Sequence, residues 1–189
     1  MTDQPTKKYE FVEGDTIRHG GRILRRIRAI RDFGDGDFFV REGDLGGFIE
    51  KEKNLSHEND CWVYNDGKIF GNAKVYGHAR VYQGAFIFNN ALVFGYAEIY
   101  GKVYGYAQVY GRAFIFNDAY VFDYARVHGY ARVTKGTFVS DYAELYGYAE
   151  TIQGNTTICG YMKAFDQALV SCHKYSNHYT KITDGNDDE

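Results

Sequence analysis

The chain has 189 residues, enough for one domain with its own core, and a formal net charge of −3. That balance by itself implies neither a general nucleic-acid binder nor a strongly acidic mimic. No apolar run approaches the ~20 residues of a membrane span, and the opening MTDQPTKKYE lacks the apolar stretch of a secretory signal.

The first predicted element is a β-hairpin. Tyr9–Ile17 and Ile23–Ile30 can pair around His19-Gly20-Gly21. It carries Arg18, Arg22, Arg25, Arg26, Arg28 and Arg31, a candidate basic surface for an anionic partner. Asp32, Asp35, Asp37, Glu42 and Asp44 come closely after, so a self-neutralising solvated surface is the competing reading. Residues 1–50 are assigned chiefly to an N-terminal cap, because a solenoid must hide its terminal strand edges. The turn-rich Gly43–Ile49 and Asn54-Leu55-Ser56 lead into the repeat.

From Val63 the chain reads in sixes: VYNDGK, IFGNAK, VYGHAR, VYQGAF, IFNNAL, VFGYAE. The short piece Ile99-Tyr-Gly-Lys102 lacks two residues, and the register then resumes at Val103. One extra residue, Thr151, precedes Ile152. The consensus is aliphatic, aromatic, Gly/Asn/Asp, variable, Ala, variable, repeated over about seventeen units. Val and Ile suit a pleated strand and fill a narrow interior. Ala at the fifth place lets neighbouring sides close without overpacking. The third place takes the residues that tolerate a positive φ at a bend. Each unit is therefore a short strand plus a corner. Three units make one turn, and five to six turns stacked at ~4.8 Å make a prism about 25 Å tall. The expected fold is all-β: a single-stranded, three-sided parallel β-helix, left-handed, over residues 51–160. Residues 161–189 form a short C-terminal cap and an acidic tail. An α-helix is excluded because Gly every sixth residue would cost it ~1 kcal/mol each time.

Function should be written in the outward positions. The second place is aromatic: Tyr64, Phe70, Tyr76, Tyr82, Phe88, Phe94, Tyr100, Tyr104, Tyr110, Phe116, Phe122 and Tyr146. Residues eighteen apart should form ladders, such as Tyr64 with Tyr82 and Tyr100, Phe70 with Phe88, and Tyr76 with Phe94. More aromatics stand at the fourth place, including Tyr96, Tyr106, Tyr124, Tyr130, Tyr142 and Tyr148. A lone chain seldom exposes so much apolar surface, and Tyr and Phe favour protein interfaces. Simple strand stabilisation by ladders is the competing reading. Stacking on nucleobases, helped by Lys74, Arg80, Arg112, Arg126 and Arg132, is a third, although residues 61–160 hold seven acidic and eight basic side chains.

Catalytic and metal residues are not evident. His19, His57, His78, His128, His173 and His178 show no convergent metal set, and only His78 and His128 fall in the coil, as candidate bases. The glycines mark corners and form no phosphate loop. No metal or cofactor is expected. Cys61, Cys159 and Cys172 have no CxxC spacing and suit reduced thiols in the cytoplasm.

Two family resemblances rest on these residues. The hexads resemble the left-handed β-helix superfamily of trimeric acyltransferases, across about half the chain. That likeness implies acyl transfer by a catalytic histidine beside a projecting loop; no such loop interrupts residues 63–158. The stretch Ile27–Phe33, then Gly43–Ile49, Asn54–Ser56 and Cys61–Tyr64, resembles small phage and prophage repeat proteins in which the same lead-in precedes VYGNA-type hexads. This implies an accessory protein of the host cytoplasm with no active site. The expected function is thus non-enzymatic binding of a protein partner, such as a host defence complex, or of further copies as a dimer or trimer. An acyltransferase-like trimer and a self-assembling scaffold are the alternatives.

Overall fold

A computed structural model describes residues 6–152, 156–170 and 181–182. Two strands, β1 (Tyr9–His19) and β2 (Arg22–Ala29), form an antiparallel hairpin, and β3 (Leu45–Ile49) pairs antiparallel with β2. The turn between β1 and β2 is Gly20-Gly21, both at positive φ (54° and 75°), as a tight hairpin turn requires.

From β3 onward the chain winds through three parallel sheets. Sheet I continues from β3 through Lys68–Ile69, Phe86–Ile87, Lys102–Val103, Tyr120–Val121, Phe138–Val139 and Thr157–Ile158. Sheet II stacks Trp62–Val63, Arg80–Val81, Glu98–Ile99, Phe114–Ile115, Arg132–Val133, Glu150–Thr151 and Leu169–Val170. Sheet III runs from Lys74–Val75 through Leu92–Val93, Gln108–Val109, Arg126–Val127, Glu144–Leu145 and Lys163–Ala164 to Lys181–Ile182. Each strand shows two residues, the sixth of one hexad facing out and the first of the next facing in. Val63, Ile69, Val81, Ile87, Ile99, Val109, Ile115, Val127 and Leu145 are fully buried, and so are the alanines of the fifth place. The three-sided parallel coil expected from the repeat is the observed architecture.

The coil is longer than the hexad pattern indicates. Counting β3, each sheet stacks seven coil strands, so there are seven turns rather than five to six. It opens at Leu45, inside the segment assigned to the N-terminal cap, and runs beyond residue 160 to Val170, with Lys181–Ile182 as the seventh strand of sheet III. Two substitutions disguise the last turn. Ala164 stands where the pattern asks for Val or Ile, and Met162 stands where it asks for Ala; both are buried. One large-for-small exchange offsets the other, and volume is kept. Of the expected C-terminal cap and acidic tail, 171–180 and 183–189 lie outside the described residues.

Both register breaks fall at the corner between sheets II and I. The deletion at Ile99–Lys102 leaves Gly101 at a backbone angle any residue adopts, yet pressed under the next turn. A Cβ there would meet the Ala119 carbonyl oxygen at 2.5 Å and that of Phe116 at 2.7 Å. The second break differs from expectation. Thr151, read as an extra residue before the inward Ile152, is itself the inward residue, fully buried, while Ile152 is exposed. Its hydroxyl accepts the Thr134 N–H at 2.8 Å and lies 2.9 Å from the Thr137 hydroxyl, which stands in an alanine place. The Thr134 hydroxyl donates to the Thr151 carbonyl at 2.7 Å. Thr151→Val restores the aliphatic consensus but leaves a buried N–H without an acceptor. It should cost about 1–3 kcal/mol, read as a lower midpoint of thermal unfolding, where the consensus alone predicts a gain.

At the N-terminal end, Tyr9 and Phe33 pack edge-on against Trp62, with ring centroids 6.3 and 5.3 Å away. The Tyr9 hydroxyl donates to the Leu55 carbonyl at 2.8 Å. Lys8 is wholly buried; its ammonium donates to the Asn59 carbonyl at 3.0 Å and lies 3.3 Å from Cys61 Sγ. Burial pushes the Lys8 pKa down and the Cys61 thiol up. The two side chains tie β1 to the first corner rather than forming a reactive exposed thiol.

Candidate interaction surface

Parallel stacking puts equivalent side chains of successive turns directly over one another, so each outward position becomes a row. On sheet II, Tyr64, Tyr82 and Tyr100 stack with centroids 5.1 and 4.2 Å apart. On sheet I, Phe70, Phe88, Tyr104 and Phe122 stack at 4.7–5.0 Å. On sheet III six rings stack: Tyr76, Phe94, Tyr110, His128, Tyr146 and Phe165, at 4.6–5.2 Å. The sheet II row shifts at the deletion, where Tyr100 stacks on Phe114 and Phe116 lies tilted against Phe114 at 46°.

These rows face outward but are not freely open. Phe70 is buried with Leu24 and Phe48 under the hairpin, and His19 lies over it at 5.3 Å. Tyr64, Tyr82, Tyr100 and Tyr104 are half-buried, and burial raises the pKa of each phenol. In Tyr82 the carboxylate of Glu98 adds to that rise.

The most exposed rings of the coil are those of the fourth place, at the two corners that frame sheet III. Along one corner, Tyr106, Tyr124, Tyr142 and Tyr161 stack at 5.1 Å with about half of each ring open. The row continues upward as Asn90, Asn72 and Lys51, joined by side-chain hydrogen bonds. Along the other corner, His78 stacks on Tyr96 at 4.5 Å, and Tyr130 on Tyr148 at 4.9 Å. The Arg112 guanidinium bridges them, 5.3 Å from the Tyr96 ring and 5.8 Å from Tyr130. Across sheet III, two successive turns read tyrosine, charged residue, aromatic, corner tyrosine: Tyr124, Arg126, His128, Tyr130; then Tyr142, Glu144, Tyr146, Tyr148. Glu144 ties the polar row together, 3.2 Å from Arg126, 3.1 Å from His128 and 3.0 Å from Lys163. Burial pushes its carboxyl up, but the hydrogen bonds from Lys163 and His128 and the charge of Arg126 outweigh it, and its pKa is lowered.

Ring geometry decides what such a surface can grip. Neighbouring planes in the sheet III rows lie within about ten degrees of parallel, so stacked rings cover one another's facing sides, and the Arg112 guanidinium fills the place between Tyr96 and Tyr130. Only edges and hydroxyls point out. A nucleobase or sugar needs an open ring face to stack on. A protein surface needs only apolar edges and hydrogen-bonding tips, which phenols supply.

The arginines of the hairpin are largely engaged within the chain. Arg22 pairs with Glu50, Arg26 with Asp15, and Arg28 with Glu10. Arg25 lies over the Phe11 ring at 3.7 Å, and Arg31 lies near Phe33. Arg18 is exposed, with no ion pair among the described residues. The two coil histidines are far apart in the fold. His128 belongs to the sheet III row, whereas His78 Nδ1 rests against Asp60 Oδ1, in ion-pair contact but off the line of a hydrogen bond. That pair borders an open cleft of about 410 Å³ shared with Arg31, Phe33 and Asn59. A second cleft, about 470 Å³, opens at the deletion between Tyr100, Phe114, Phe116, Asp118 and Lys135. Among the described residues, no three His, Cys, Asp or Glu side chains gather as a metal site, and no helix is long and apolar enough to cross a membrane.

Tyr161 and Phe165 escape the hexad reading of the surface, because the pattern dissolves around Met162 and Ala164; the signal that recovers them is their 19-residue spacing from Tyr142 and Tyr146, one more than the regular turn. No protein-family model matches the sequence. Over 43 residues, 23% of this chain, it is 44% identical to an uncharacterized acetyltransferase, YdcK, of Escherichia coli (strain K12), a match that spans 12% of that protein. What the chain shares with it fits a hexapeptide-repeat coil.

Proposed function

We propose that this protein is a binding module, and that another protein docks on sheet III and its two tyrosine corners. The observation that carries this reading is the half-exposed row Tyr106, Tyr124, Tyr142 and Tyr161 beside a six-ring row on the same side of the coil. The rings are already stacked on one another before binding, so little side-chain entropy should be lost on contact. Tyrosine is among the residues that dominate interface energetics. The likeness of the lead-in to phage repeat proteins favours a host complex as the partner class.

The test is capture of partners from host lysate by the wild type and by Tyr124→Ser with Tyr142→Ser. Both rings are exposed, so the fold should be kept. The double substitution should remove about 2–3 kcal/mol, roughly a thirty- to hundred-and-fifty-fold loss of affinity. Unchanged capture would sink the reading.

A second reading, an acyltransferase-like activity, is favoured by the likeness to YdcK and by His78 against Asp60 beside a cleft. Acetyl-CoA raising the unfolding temperature of the wild type, but not of His78→Ala, would support it in place of the first.

A further inference from the structure

The outward row of sheet II reads Glu98, Phe114, Arg132, Glu150, one residue per turn in strict register. Glu98 is half-exposed and has no ion pair among the described residues. Arg132 is half-exposed, its guanidinium near the Phe114 and Phe116 rings. Its contact with Glu150 (3.4 Å) joins two open side chains and leaves donors to spare. A carboxylate and a guanidinium thus stand one turn either side of an aromatic residue, about 4.8 Å above and below it.

That order is self-complementary when reversed. We propose that this face is where two copies of the chain meet, antiparallel, about a two-fold axis running along the strand at Phe114. Rotation about that axis keeps the row opposite itself and inverts it. Phe114 faces Phe114, and Glu98 of each copy faces Arg132 of the other, so two ion pairs flank an aromatic centre. A parallel arrangement would oppose Glu98 to Glu98 and Arg132 to Arg132, which is repulsive.

The rest of the face agrees. The cleft of about 470 Å³ beside Phe114 gives the facing ring room. Above Glu98, the loop holding Phe38 stacks on Arg80 and closes that end of the row, leaving Phe39 exposed. Below Arg132, Ile152 and Leu169 are exposed apolar residues. Inversion brings the Phe39 end of one copy over the Ile152 and Leu169 end of the other. The interface is isologous, so it closes at two copies instead of growing into a fibre. It uses sheet II and leaves sheet III open for the partner proposed above, so the two ideas fail separately.

Sedimentation equilibrium on the full chain tests this. The wild type should be a dimer. Glu98→Arg puts a positive charge on both sides of Phe114 and Arg132→Glu puts a negative charge on both sides, so each alone should weaken dimerisation at least tenfold. Mixing the two single variants should restore a dimer, now mixed, and E98R with R132E in one chain should restore a homodimer. Circular dichroism checks that each variant is folded, and Glu98→Gln, which keeps the side-chain shape, replaces any that is not and should also weaken the dimer. A wild type that stays monomeric at tens of micromolar, single variants as dimeric as the wild type, or a mixture that stays monomeric would each overturn the proposal.

Discussion

Trp62→Ala should cost about 3–5 kcal/mol, the range for deleting a fully buried large aromatic side chain. Trp62 is 1% exposed and links the hairpin to the first turn of the coil. Tyr9 and Phe33 rest on its ring, and Gly46 passes so close that a Cβ there would lie 2.7 Å from it. The lost contacts all lie at one end, and in a solenoid each turn touches only its neighbours. The loss should therefore be local. Hydrogen exchange should quicken across Tyr9–Ala29 and Leu45–Ile49 while Val103, Val121 and Val139 stay protected. Uniform loosening of every turn would mean that the coil behaves as one cooperative block.

Gly101→Ala should be nearly as damaging, at about 3 kcal/mol, the upper end for overpacking, because backbone carbonyls cannot turn aside as side chains can. The informative comparison is Gly84→Ala. Gly84 sits at φ 77° with open space where a Cβ would go, so its cost is conformational, about 1 kcal/mol. Gly101 reverses the logic, with ordinary backbone angles and no room. Chemical denaturation of both variants should place Gly101→Ala well below Gly84→Ala. Equal midpoints would show that the shortened corner is slack.

The coil was legible because its inner positions obey one rule, aliphatic then alanine, dictated by a narrow three-sided core. Legibility failed where the core meets its demand by another route. Leu45-Gly-Gly-Phe-Ile49 has no alanine because Gly46 and Gly47 lie too close to Trp62, Val63 and Gly67 for any side chain. Ala164 and Met162 exchange sizes, and Thr151 fills an aliphatic place by hydrogen bonding. At the surface, the stacking of Tyr64 on Tyr82 and of Tyr76 on Phe94 was readable from spacing. Exposure was not. Whether a ring stands proud depends on corner geometry and on the hairpin lying over Phe70, and neither is encoded in the hexad. Equally invisible in a row of tyrosines is that stacking hides their faces, which turns a base-stacking platform into a surface of edges and hydroxyls.

The most direct test of the proposed function is site-specific photo-crosslinking with a benzophenone side chain at position 124 or 142 on the tyrosine corner, or at 138 on sheet I. Docking on sheet III predicts strong crosslinks to the captured partner from positions 124 and 142 and little from 138. Crosslinking from 138 with none from 124 or 142 would contradict it.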